Sequence, residues 1–162
     1  MNYLGIDRKK ISKTAMLLNE LLASYQVYYN NLRNFHWNIA GENFFDLHAK
    51  FEELYQDARV KIDEIAERVL TLRYRPVSRM SDYMDMSKVE DAQYLDSDRD
   101  MVQTILNNHM ILIGQMRQVL AEAADADDEG TIDMIGSFLK DLEKRSWMLD
   151  AWVTRKVDAM LQ

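Results

Sequence analysis

Along the first stretch of the chain, a packing seam steps through Ile11, Ala15, Leu18, Leu22, Tyr25, Tyr29, Leu32 and His36. The steps alternate four and three, the spacing of a helix that packs lengthwise on another. Asp7 and Ser12 are the candidate caps at its start, and residues 38–43, with Gly41 inside, end it. A second helix is predicted from about Asn43 to Leu72, with its seam at Phe44, Leu47, Phe51, Tyr55, Ala58, Ile62, Ile65 and Val69. Residues 73–96 have no long period and hold the only proline, Pro76, so they form a crossover, with a short helix expected near Ser87 to Ala92. A third helix carries Met101, Ile105, His109, Leu112, Met116 and Val119. The acidic turn from Asp125 to Glu129, in which Gly130 is placed, leads to a fourth with Ile135, Leu139, Leu142, Leu149, Val153 and Val157. The pattern predicts an all-α fold: two helical hairpins joined by one long crossover into a four-helix bundle, a single domain over residues 1–162.

Composition narrows the class further. Glycine contributes 5 residues and proline 1, where average usage gives roughly 11 and 8. That scarcity argues against sandwiches and barrels, which need frequent turns. At 48% apolar and 29% charged, the chain is expected to fold. No apolar run approaches the roughly 18 residues of a membrane span, and Met1 opens no signal peptide, so a cytoplasmic protein with no membrane partner is expected. The absence of cysteine excludes disulfides, thiolate metal sites and cysteine nucleophiles. The net charge of −7 disfavours a nucleic-acid footprint over the whole surface.

Chemistry concentrates in the first hairpin. His36 closes the first helix and His48 opens the second, so an antiparallel hairpin brings both to one end of the bundle. Glu52 follows His48 by one turn, and Asp63 and Glu67 stand one turn apart further along. Imidazoles with carboxylates form a mixed N/O set suited to iron, manganese or zinc. Each member has a plainer reading: a seam histidine is usually a hydrogen-bonded core residue, as is expected for His109, and Arg59 is placed to pair with Asp63. Yet two acids one turn apart repel, and a bound cation relieves that repulsion. With His48 at zero on the helical wheel, Glu52 falls near 40°, Asp63 near 60° and Glu67 near 100°, while the apolar seam spans about −20° to −100°. The candidate ligands flank the seam. Along the axis Asp63 lies about 22 Å and Glu67 about 29 Å from His48, so one ion cannot touch both ends of a straight helix. If these groups share a site, the far carboxylates come from a second subunit across a two-fold axis. The Glu-x-x-His pairs of a di-iron centre inside one bundle are missing, since Arg33, Phe45 and Leu106 stand three before the histidines.

The stretch Asn34-Phe35-His36-Trp37-Asn38, then Gly41, Asn43-Phe44, Leu47-His48, Glu52, Asp63 and Ala66-Glu67-Arg68, resembles the Dps proteins, the mini-ferritins named as DNA-binding proteins from starved cells. The likeness runs over essentially the whole chain and implies a ferritin-like four-helix bundle whose long crossover carries a short extra helix. It implies that His36 and His48 of one subunit, with Glu52, and Asp63 and Glu67 of its two-fold mate ligate iron at a ferroxidase site. It further implies a hollow homododecamer of two-fold dimers, with no organic cofactor, that oxidises Fe(II) with hydrogen peroxide or oxygen and stores ferric mineral. Such a store protects the cell from oxidative damage.

The resemblance gives three further features a role. Trp37, otherwise an aromatic anchor at a helix end, would lie beside the iron and give up electrons. Asp128, Glu129 and Asp133, otherwise a solvated turn before a helix N-terminus, would line an iron-entry pore at a three-fold axis. Family members that bind DNA do so through lysine-rich tails. Here the basic residues Arg8, Lys9, Lys10 and Lys13 sit at the start of the first helix, and little chain is expected beyond either end of the bundle. A shell of twelve copies multiplies the charge of −7 per chain and repels phosphate, so DNA binding is doubtful. A nucleoid-compacting particle with a secondary metal site is the alternative, and a bundle without metal the third.

Overall fold

The computed structural model describes residues 3–154, in which the elements are α1 (Arg8–Asn38), α2 (Phe44–Thr71), α3 (Met80–Met86), α4 (Asp98–Asp125) and α5 (Glu129–Val153). No strand occurs among the described residues. The four long helices follow the predicted seams; Val157, assigned to the last of them, lies outside the described residues. Of the two proposed caps, Asp7 is the one used, its carboxylate accepting from the Lys9 amide at 2.8 Å.

Cross-helix contacts fix the directions. Phe35 meets Phe51, Tyr28 bonds His109, and Lys61 of α2 bonds Asp141 of α5. Thus α1 runs antiparallel to α2 and α4, and α5 antiparallel to α2 and α4. Helices α2 and α4 are parallel, which is why a long crossover must join them. The core is continuous along the bundle and is built from Leu18, Leu22, Leu32, Phe51, Leu54, Ile65, Ile105, Leu112, Met116, Ile135 and Leu142 with their neighbours.

Two tight reversals are made without glycine. At the end of α2, Arg73 takes φ 65°, and the Arg73 and Tyr74 amides return to the carbonyls of Leu70 and Val69. At the end of α4, Asp127 takes φ 55°, and the Asp127 and Asp128 amides return to Ala124 and Ala123. Both are Schellman caps with a residue other than glycine in the left-handed position. In the α1–α2 turn that strain is relieved by Gly41, at φ 98°.

Two expectations are corrected. The short crossover helix is Met80–Met86, and residues 87–92 are irregular, with bends at 88 and 89, rather than helical. Their backbone groups are claimed by α1. Ser24 accepts from the Lys88 amide (2.9 Å), while Asn31 donates to the Glu90 carbonyl and accepts from the Ala92 amide (both 2.9 Å). A backbone satisfied by side chains has nothing left for an i→i−4 ladder. Gly130 lies within the first turn of α5, not in the preceding turn, because Asp128 is the N-cap and its carboxylate accepts from the Thr131 amide at 3.1 Å. A Cβ at position 130 would stand 2.8 Å from the Arg68 guanidinium.

His109 is a core residue, as expected. Burial and the nearby Lys61 and Arg145 cations push its pKa down from 6.5 to about 3. The folded chain therefore keeps this imidazole neutral where the unfolded chain protonates it. The stability it contributes is complete above about pH 6.5 and is lost as pH falls toward 3. Denaturant midpoints measured from pH 7 to pH 4 should fall, and a His109→Gln variant should show a flatter profile over that window.

Candidate metal centre at the first hairpin

The α1–α2 turn folds His36 and His48 onto each other. Their rings stack with centroids 3.8 Å apart and planes 21° from parallel, and Phe44 continues the stack beyond His48 at 4.9 Å. Each imidazole is held by the other residue's backbone. The Nδ1–H of His36 donates to the His48 carbonyl at 2.7 Å, and the Nδ1–H of His48 donates to the His36 carbonyl at 2.9 Å. A carbonyl only accepts, so both Nδ1 atoms carry hydrogen. The lone pairs are left on the two Nε2 atoms, neither of which is hydrogen-bonded among the described residues. A backbone carbonyl bound to one ring nitrogen in this way fixes the ring's orientation and leaves the other nitrogen to a metal. The Tyr55 ring stands edge-on to His36 at 5.3 Å, and its hydroxyl donates to Glu52 at 3.3 Å.

His36 is 7% exposed, His48 is half-buried and Glu52 is exposed. Asp63 and Glu67 are both exposed further along α2. The expected partner Arg59 does not reach Asp63; no ion pair engages either acid among the described residues. The chain thus brings His36, His48 and Glu52 to one end and leaves Asp63 and Glu67 remote from them. No three His, Asp or Glu side chains within the described residues of one chain are close enough to hold a metal.

Trp37 does not join the stacked pair. It is 64% exposed, with the Arg33 guanidinium 4.6 Å above its ring. Of the three acids assigned to a pore, Asp128 is only 1% exposed and faces inward. It pairs with Arg68, whose Nε also donates to Thr131 at 2.9 Å, so its carboxylate is consumed in closing α2 onto α5. Asp128 is therefore a cap and not a solvent-facing acid, whereas Glu129 and Asp133 are exposed.

The periodic pattern did not reveal an ionic chain across α2 and α5, centred on one buried lysine. Lys61, 5% exposed, lies 2.6 Å from both Asp57 and Asp141, and Arg145 reaches Asp141 and Glu53 at 2.8 Å each. The signal available was a lysine three residues after Ala58 and four before Ile65, on the buried face of α2.

Comparison with known proteins agrees with this architecture. The ferritin-like domain model matches residues 15–157. The chain belongs to the Dps family. A DNA protection during starvation protein from Brevibacillus brevis is 40% identical over 139 residues, covering 86% of this chain and 93% of its own. One from Porphyromonas gingivalis is 38% identical over 151 residues, covering 93% and 95%. Among solved structures, a Dps protein from Vibrio cholerae O1, a member of a broad superfamily of ferritin-like diiron-carboxylate proteins, superposes with a TM-score of 0.92 at 42% identity, covering 95% of this chain and 97% of that one.

Two outcomes test this geometry. Nitrogen NMR of the histidines should show Nδ1–H and an unprotonated Nε2 for both His36 and His48, and adding Zn(II) should shift the Nε2 resonances. Arg68→Ala should destabilise the fold by about 3 kcal/mol in chemical denaturation, because it strands the buried Asp128 carboxylate.

Proposed function

We propose that this Dps-family chain is a ferroxidase and iron store. His36, His48 and Glu52 of one subunit bind Fe(II) together with Asp63 and Glu67 of a two-fold mate. The observation that carries the reading is the mutual locking of the two stacked imidazoles, which leaves the lone pairs of both Nε2 atoms free of hydrogen bonds among the described residues. Among the described residues no cation pairs with Asp63 or Glu67, which supports their availability to a second subunit. Iron is the substrate here. Two Fe(II) give one electron each to hydrogen peroxide, which takes two protons and leaves as two waters, so that no hydroxyl radical is released; oxygen is the other oxidant. The ferric product is stored in a homododecamer of such dimers, built from one ferritin-like domain per chain in the cytoplasm, and this removes iron and peroxide together.

Glu129 and Asp133 are proposed to draw Fe(II) toward an entry pore, while Asp128 serves the fold. Among the described residues no helix is long and apolar enough to cross a membrane. DNA compaction is the less favoured reading: Lys13 pairs with Glu122 and Lys10 with Asp127, so part of the basic cluster is already neutralised.

The shared site is tested by complementation. One variant lacks the histidines (His36→Ala, His48→Ala) and another the far carboxylates (Asp63→Ala, Glu67→Ala); each alone should oxidise Fe(II) very slowly. In a mixed dimer one of the two sites is whole. Random co-assembly makes about half the dimers mixed, so roughly a quarter of the unmodified activity should return in stopped-flow absorbance. Recovery of nothing from co-refolded variants shown by mass spectrometry to have mixed would overturn the shared site.

A further inference from the structure

The centre of the bundle holds a polar chain that the metal centre does not use. Tyr28 on α1 and His109 on α4 are 2% and 1% exposed, and the Tyr28 hydroxyl lies 2.8 Å from Nε2 of His109. Nδ1 of His109 lies 2.9 Å from Oγ of Ser146 on α5, and that hydroxyl donates to the Leu142 carbonyl at 2.7 Å. The last bond sets the direction of the others. Ser146 has given its only hydrogen to Leu142, so it accepts from Nδ1–H; Nε2 then carries the lone pair and accepts from Tyr28. The result is a phenol aimed at a neutral, unprotonated imidazole nitrogen in a site closed to water.

We propose that Tyr28, paired with His109, is a buried one-electron donor. The electron leaves the phenol to an oxidant, the Tyr28 O–H bond breaks, and its proton forms an N–H bond at Nε2, giving a neutral tyrosyl radical and an imidazolium. Lys61 from α2 and Arg145 from α5 disfavour that imidazolium, and Asp141 partly offsets them. The proton is therefore driven back when an electron returns, and the pair is reversible. Burial keeps the radical from solvent; beyond the His109 ring at 5.4 Å, the Tyr25 ring stands edge-on at 6.0 Å.

The oxidant follows from the proposed ferroxidase chemistry, on which this part rests. When a site holds one Fe(II), peroxide receives one electron from the metal and lacks the second. Tyr28 supplies it along α1, eight residues or about 12 Å of helix axis from His36. With two solvent protons, peroxide then leaves as two waters.

The test uses the assembled, iron-free protein with photoexcited tris(bipyridine)ruthenium and a cobalt(III) ammine as electron acceptor, read by electron paramagnetic resonance. Exposed tyrosines such as Tyr3 and Tyr94 are oxidised too, but their radicals meet solvent and decay. A long-lived tyrosyl signal should remain, decay more slowly in D2O, be lost in Tyr28→Phe and be short-lived in His109→Gln. Tyr28→Phe removes only a hydroxyl, and circular dichroism verifies that it folds. A long-lived signal unchanged in Tyr28→Phe, or none in the unmodified protein, overturns the proposal. Substoichiometric Fe(II) followed by peroxide should give the same Tyr28-dependent signal. If iron is oxidised without that signal, the link to the metal centre is overturned. If the photochemical signal stands and no iron is oxidised, the ferroxidase reading fails instead.

Discussion

The arrangement depends on what α1 offers along its length besides apolar surface. Its carboxamides and hydroxyls act as substitute peptide groups: Asn19 donates to the Arg75 carbonyl and accepts from the Val77 amide, Asn31 donates to Glu90 and accepts from Ala92, Ser24 accepts from the Lys88 amide, and Asn34 donates to the Ala92 carbonyl. A crossover with little regular structure carries many polar backbone groups, and those packed against a helix must find partners there. Once α1 supplies them, the crossover can lie flat on the bundle and deliver α4 parallel to α2. The same helix then closes the hairpin with α2 through His36 and binds α4 through Tyr28. Loss of a single carboxamide at Asn31 would orphan two backbone groups at once, a far larger disturbance than its polar surface suggests.

The long helices were legible because each repeats its seam over many turns, and a signal summed over six to eight positions outweighs local exceptions. The crossover was not, because residues 87–92 take their structure from partners some 60 positions away in sequence. Gly130 misled for a related reason. Its place in the first turn of α5 is set by the Asp128 cap and by Arg68 arriving from α2, neither of which a local window contains. At the candidate metal centre, residue identity and spacing brought His36, His48 and Glu52 to one end of the bundle. The tautomer did not follow from spacing, since it depends on two mutual bonds to backbone carbonyls. The Tyr28–His109–Ser146 chain was hidden altogether: its members sit 81 and 37 positions apart, and each alone looks like an ordinary core residue.

Charge favours placing the proposed metal chemistry at the rim of this bundle rather than at its axis. A centre between four helices needs inward carboxylates free to meet a cation. Here the inward polar positions between α2 and α5 carry the Lys61 ammonium and the Arg145 guanidinium, and the nearby carboxylates Asp57 and Asp141 are spent on them. A divalent ion entering that space would have to displace the buried Lys61 ammonium and the half-buried Arg145 guanidinium, leaving each without its partner. Burial, helped by the same cations, holds His109 neutral, which removes a proton that would otherwise repel the metal but also commits the imidazole to Tyr28. At the end of the bundle the balance reverses: among the described residues His36 and His48 bond no lysine or arginine, and the exposed Glu52 meets a tyrosine hydroxyl. One sequence therefore separates two kinds of polar site by the sign of the charge beside them, a dry interior closed to cations and a hairpin end open to them.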